Sequence, residues 1–221
     1  MNSCVLCENT LDEKLTFCDL LTLKKPKARA CDDCFEKFQR ISAQNCPKCY
    51  REGTCEVCMD CQVWIKKGKE VFHKSCFVYN EAMKDFFSQY KFQGDYALYS
   101  VFAAVLQKEL KVYRDYTLVP IPISAKKYQT RGFNQVTALL EGAKLPFKEV
   151  LEKHDTIAQS SKTREERLQS RQCFKVKDNV QLPPKILLID DIYTTGSTLQ
   201  LAKEILVEAG VKEIVTFSLA R

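Results

Sequence analysis

The sequence predicts an α/β protein: a parallel sheet flanked by helices, preceded by a small cysteine-rich module. Three observations predict it. The C-terminal stretch reads as strand, helix, strand, opening on the unbroken apolar run Ile186-Leu187-Leu188-Ile189, the pattern of a strand buried on both faces of a parallel sheet. From Val71 onward, short apolar runs alternate with stretches of helical period, which suits a doubly wound sheet. Of 12 cysteines, eleven lie between Cys4 and Cys76, and only Cys173 stands apart.

Residues 1–66 form one expected domain and 71–221 a second. In the first, little periodicity is visible beyond one short helix over 34–41, and Ile65-Lys66-Lys67-Gly68-Lys69 reads as a linker. In the second, the alternating stretch VFHKSCFVY (71–79) reads as a strand and 81–92 as a helix closed by Gly94. A second helix is expected over 96–110, with Leu98, Val101, Phe102, Val105 and Leu106 on one face. A short strand over 117–120 runs into Pro120-x-Pro122, which ends regular structure. Then come a helix over 133–141, a weak strand over 147–151 and a polar, charged stretch over 155–172 that suits a mobile flap. A strand over 174–176 precedes the apolar run. From Ser197 the period becomes helical, with Leu199, Ala202, Ile205, Leu206 and Ala209 able to share a face, Gly210 as the stop, and 211–219 as the last strand.

The cysteines are paired. Cys4/Cys7, Cys31/Cys34, Cys46/Cys49 and Cys58/Cys61 are each C-x-x-C, a spacing that lets two thiolates converge on one ion; two such pairs complete a tetrahedron around zinc. Taken in chain order, Cys4, Cys7, Cys31 and Cys34 make one zinc site, and Cys46, Cys49, Cys58 and Cys61 a second. Cys55 could replace Cys58, and Cys18 is either a spare thiol or a substitute ligand. His73 has no metal-like spacing and reads as an ordinary strand residue. A segment this small buries too little core to fold alone, so metal must supply much of its folding energy. The formal charge of +6 is weak evidence for a nucleic-acid partner, because two zinc ions held by eight thiolates would cancel most of it. With no apolar stretch of membrane-spanning length and no apolar core in MNSCVLCENT, a cytoplasmic protein is expected.

Asp190 and Asp191 follow the apolar run, and Tyr193-Thr194-Thr195-Gly196-Ser197-Thr198 leads into the last helix. A loop feeding a helix N-terminus offers free N–H groups and the positive end of the helix dipole, which suits a phosphate. Two carboxylates repel phosphate. They can instead accept hydrogen bonds from ribose hydroxyls or hold Mg²⁺ through water. A sugar phosphate satisfies both halves, whereas a mere turn with an N-cap would explain only an isolated Asp-Asp-x-x-Thr. No Lys follows the Gly, as in a Walker loop, and G-x-G-x-x-G is absent. Two basic stretches accompany this loop: Lys126, Lys127 and Arg131 after the Pro-x-Pro, placed to grip a pyrophosphate, and Lys162, Arg164, Arg167 and Arg171 in the flap. The flap cations could close over an anionic ligand or contact a nucleic-acid backbone.

LLIDDIYTTGST resembles the phosphoribosyl-pyrophosphate (PRPP) loop of type I phosphoribosyltransferases. With RGFNQ after a Pro-x-Pro loop, a basic flap and the N-terminal C-x-x-C set, the whole chain resembles the ComF family of competence proteins, in its ComFC branch. The resemblance implies a type I phosphoribosyltransferase-like sheet, a zinc module, and a role in handling incoming single-stranded DNA beside the helicase-like ATPase ComFA. It also implies a pocket in which Asp190 and Asp191 hold a ribose, Thr194, Thr195, Gly196, Ser197 and Thr198 cradle its phosphate, and Mg²⁺ accompanies PRPP. If the pocket is catalytic, Asp190, Asp191 and Arg131 carry a phosphoribosyl transfer; a binding role without transfer is the favoured reading.

Overall fold

The structure is a computed structural model that describes residues 3–11, 30–93, 96–154 and 173–221. Its centre is a four-stranded parallel sheet in the order β1-β6-β5-β2, where β1 is His73–Phe77, β2 Thr117–Pro120, β5 Lys185–Ile192 and β6 Glu213–Ala220. Between β2 and β5 the chain forms an antiparallel pair, β3 (Leu151–Lys153) and β4 (Phe174–Val176). The apolar run of β5 pairs on both sides: Leu188 faces Val119 on β2 and Thr216 on β6. Pro120 is tolerated because β2 is the edge strand of the sheet, bridged on its outer side only through Leu118 among the described residues.

Alternation along the strands builds two cores. Leu187 and Ile189 of β5, with Phe217 and Leu219 of β6, pack under α3 (Glu81–Ser88), α4 (Ala103–Leu110) and α6 (Gln135–Gly142). On the other face, Ile186 and Leu188 pack with Leu199, Ala202 and Leu206 of α7 (Ser197–Glu208). The connections after β2 and β5 therefore leave on opposite faces, and their C-terminal ends part to open a crevice, where ligands of open α/β sheets bind. The helix starts are specified locally: Asn80 accepts from the Met83 N–H at the head of α3, and Asn134 accepts from the Val136 N–H at the head of α6.

The cysteine-rich segment is laid against both cores. Phe35 of α1 (Asp32–Glu36) and Phe38 just beyond it join an aromatic cluster in which the Phe38 ring lies 4.9 Å from Phe102 and 6.0 Å from Phe86. Cys46, Cys49, Cys58 and Cys61 share the opposite core with Val119, Ile186 and Tyr193. Between them the chain covers the β1 edge: the Ile41 N–H donates to Cys76 O, and the His73 N–H donates to Lys48 O.

Four local expectations are corrected. Residues 59–66, read as cysteine knuckles and the start of a linker, form a helix, α2 (Met59–Lys66), with Cys58 at its N-cap and Cys61 inside it. Lys69 pairs with Glu204 of α7 at 3.1 Å, so the stretch after α2 is tied down. The expected helix over 96–110 is a 3₁₀ turn, Tyr96–Ser100, followed by α4, with Phe102 at the junction sunk into the aromatic cluster. The basic loop contains a helix, α5 (Ala125–Arg131), ended by Gly132 at φ 84°. The strand placed at 147–151 begins only at Leu151; Phe147 makes a single parallel bridge to Leu118.

Candidate functional site

Asp190 and Asp191 lie inside β5, which runs on to Ile192 because Ile192 pairs with Ala220. Each carboxylate accepts from the next backbone N–H: Asp190 Oδ1 from Asp191 at 2.9 Å, Asp191 Oδ1 from Ile192 at 2.8 Å. Asp191 is buried and ion-paired with Lys91. Loss of solvent around the Asp190 carboxyl, and then the charge of Asp191, raise it above the ordinary carboxylate range. That carboxyl gains by taking up a cation or a sugar hydroxyl in place of lost water.

The loop after β5 rests on a pillar. The buried Tyr193 ring packs at a tilt against His73, centroids 4.0 Å apart, and the Arg221 guanidinium lies over the Tyr193 ring at 4.5 Å. Gly196 sits on the phenol at φ 81°; a Cβ there would come within 2.2 Å of Tyr193 Oη. Gly196 is also the N-cap of α7 and offers no side-chain acceptor. The first N–H groups of α7 have no capping side chain among the described residues, unlike those of α3, α5 and α6. They are free to meet an anion at the positive end of a 12-residue helix. Thr194, Thr195 and Ser197 are exposed around them and Thr198 is half-buried, with Thr195 Oγ1 2.9 Å from Ser197 Oγ.

Arg131 ends α5 half-buried. Its Nε donates to Lys91 O at 3.1 Å and its Nη1 to Gln135, while burial lowers its pKa and Asp191 opposes that shift. Lys126 and Lys127 are exposed at the start of α5. Among the described residues the cation ion-paired with the acids is Lys91, which sequence reasoning missed. It sits in a π-helical turn, Gln89–Gln93, a geometry frequent at functional sites. Nothing in the local pattern marks that turn. Lys162, Arg164, Arg167 and Arg171 lie outside the described residues; β3 and β4 bracket them in the chain, with Phe174 packed in the same core as Leu199 of α7.

The cysteines assemble as two quartets, Cys4/Cys7/Cys31/Cys34 and Cys46/Cys49/Cys58/Cys61, each with its sulfurs within 4.8 Å of one another. A tetrahedron of Zn–S bonds of about 2.3 Å has edges of about 3.8 Å. The sulfurs of Cys7 and Cys31 lie 3.8 Å apart, those of Cys49 and Cys58 3.5 Å, and those of Cys46 and Cys61 4.0 Å. Backbone N–H groups already point at sulfur, from Cys31 to Cys4 Sγ at 3.2 Å and from Cys58 to Cys46 Sγ at 3.4 Å. Burial pushes the Cys49 thiol up to about 12, while backbone N–H groups bring the Cys46 thiol down to about 7 against its own burial. Both donor sets fit zinc. Cys55 is exposed and outside the quartets, and Cys18 lies outside the described residues. His73 is buried and bonded to Thr216 at 2.9 Å, Ser75 at 2.8 Å and Ser218 at 3.1 Å; burial lowers its pKa, and it serves as a neutral core group.

Fold and site together define an α/β protein with a parallel sheet, an acid-paired loop at its crevice and two four-cysteine clusters able to hold zinc. No family model matches the chain. It is 49% identical over 218 residues to competence protein ComFC of Streptococcus pneumoniae, covering 99% of each chain. It is 35% identical over 227 residues to competence protein ComFC of Bacillus subtilis, covering 99% of this chain and 94% of that one. Competence protein F of Haemophilus influenzae is 29% identical over 113 residues, 47% of this chain and 49% of its own. The chain belongs to the ComFC family of competence proteins. Among the described residues no helix is long and apolar enough to cross a membrane.

Proposed function

We propose that the protein acts in natural transformation, in the cytoplasm, on incoming single-stranded DNA beside the helicase-like ATPase ComFA. In this reading the crevice holds a phosphorylated pentose such as PRPP, with Mg²⁺. The observation that carries the pocket is the joint placement of Asp190 near the C-terminal end of strand β5 and the uncapped N-terminus of α7 behind Gly196: acceptors for ribose hydroxyls and donors for a phosphate, on one strand–loop–helix unit. Zinc in the two quartets would supply folding energy. The flap cations Lys162, Arg164, Arg167 and Arg171 would take the DNA backbone.

Binding is favoured over transfer because the cations near the acids are engaged: Lys91 pairs with Asp191, and Arg131 is tied to Lys91 O and Gln135. An active phosphoribosyltransferase would need Arg131 released toward a leaving pyrophosphate. Pyrophosphate release from PRPP across an acceptor panel separates the two readings.

The pocket is tested by calorimetry with PRPP and Mg²⁺. Asp190→Asn keeps size and replaces one acceptor oxygen by an amide donor; a buried partner left unsatisfied costs about 1–3 kcal/mol, a weakening of about 5- to 150-fold. Unchanged affinity in that variant would remove Asp190 from the site.

A further inference from the structure

The phosphate loop is held from outside by two side chains that the sugar-phosphate pocket itself does not use. The Trp64 indole Nε1 donates to Thr195 O at 2.8 Å. The Arg221 Nη1 donates to Thr194 O at 2.6 Å. Both acceptors are consecutive carbonyls of the loop between β5 and α7. A trans peptide is planar and its C=O and N–H point in opposite directions. Fixing the Thr194 and Thr195 carbonyls therefore fixes the N–H groups of Thr195 and Gly196, which share those peptide units, aimed away from Trp64 and Arg221.

Both holding groups are tied to the second cysteine quartet. Helix α2 starts at ligand Cys58, carries ligand Cys61 in its first turn, and presents Trp64 one turn further on. Arg221 has only 5% of its side chain exposed. Its Nη2 lies 3.7 Å from Cys58 Sγ and 3.3 Å from Asp60 Oδ2, also on α2. The same guanidinium covers the Tyr193 ring on which Gly196 rests. From Cys58 sulfur to the loop carbonyl the path is one side chain long. A buried guanidinium is costly to desolvate, and here Nη1 serves the loop and Nη2 serves Cys58 and Asp60, while the buried Nε has no hydrogen-bond partner among the described residues.

We infer that Trp64 and Arg221 are positioning residues through which the Cys46–Cys49–Cys58–Cys61 centre sets the aim of the phosphate-loop amides, so that affinity for a phosphorylated pentose depends on this brace. The inference rests on the sugar-phosphate reading of the pocket. It makes the N-terminal module a working part of the crevice as well as a docked neighbour. It also assigns a role to α2, whose only fully enclosed side chain is the ligand Cys61.

The chain has a single tryptophan, so its emission reports on the brace. In the full-length, zinc-loaded protein, ribose 5-phosphate and then PRPP with Mg²⁺ are titrated, following both Trp64 emission and heat. The expected result is a saturable change in emission that tracks the heat. Trp64→Phe should keep its zinc and its melting temperature, yet bind about five- to tenfold more weakly, the effect of one lost orienting hydrogen bond. Arg221→Lys, which keeps the charge but loses the fork, should weaken binding similarly. Wild-type affinity in Trp64→Phe, or heat of binding with no change in emission, overturns the inference and leaves the pocket standing. No heat from either ligand in the wild type overturns the pocket reading and the inference with it. Should Arg221→Lys fail to fold, Trp64→Phe alone decides.

Discussion

Stripping metal from the protein with a strong chelator is expected to lower its melting temperature by about 10–20 °C. The quartet Cys46/Cys49/Cys58/Cys61 lies in the same core as Val119, Ile186, Leu188 and Tyr193, and Cys46, Cys49 and Cys61 are 0% exposed. Without a cation the four sulfurs lose the group that holds them together, and the chain that presents them has little other reason to hold its turns. Structural zinc contributes an apparent 10–16 kcal/mol in isolated finger peptides, while whole domains are stable by only about 5–15 kcal/mol. Even about 5 kcal/mol lost from a chain of this size moves the transition by about 10–20 °C. Cys61→Ser should reproduce most of the drop and Cys7→Ser less, because Cys7 is exposed and its quartet meets the core through Phe35 and Phe38. Scanning calorimetry with metal analysis of each variant measures this; equal, small shifts for chelator and both variants would mean that the quartets are not structural metal sites.

Gly196→Val is expected to abolish sugar-phosphate binding, by about 100-fold or more, while the protein stays folded. A non-glycine residue at φ 81° costs about 1–2 kcal/mol. The new Cβ would also stand 2.2 Å from Tyr193 Oη and 2.5 Å from Cζ. The ring has little room to swing aside, because it is buried and packed against His73 and Arg221. The loop must move, and with it the amides at the head of α7. A melting-temperature loss of about 4–8 °C follows from roughly 2 kcal/mol. Gly210→Ala is the control: φ there is 94° with nothing within 4 Å of the added Cβ, so it should show the backbone cost without the loss of binding. Calorimetry on both variants separates the two effects, and equal binding by Gly196→Val and wild type would contradict the cradle.

The β5–α7–β6 unit was legible in the sequence because its signals are local: an apolar run, a glycine at a positive φ, and a helix whose Leu199, Ala202 and Leu206 repeat at helical spacing. The quartets were legible for the same reason, since C-x-x-C carries its own geometry. Helix α5 was not, because none of its residues is buried and no apolar stripe marks it. Helix α2 was masked by its ligands: Cys58 and Cys61 read as a knuckle, and the helix they begin has few apolar contacts to betray it. The Asp pair was placed after the strand instead of within it, because the pairing that extends β5, Ile192 with Ala220, comes from a distant strand. Lys91, Trp64 and Arg221 were invisible for that reason too. Their partners, Asp191, Thr195 and Thr194, are 100, 131 and 27 residues away in the chain.

The decisive measurement is the backbone amide spectrum of the zinc-loaded, ¹⁵N-labelled protein during addition of ribose 5-phosphate and then PRPP with Mg²⁺. Shifts concentrated at the amides of Thr195, Gly196, Ser197 and Thr198, with smaller ones at Asp190 and Asp191, are what a phosphate seated on the α7 N-terminus and a ribose held by the acids must produce. Shifts absent from those amides at saturating ligand, or gathered elsewhere on the surface, would contradict it.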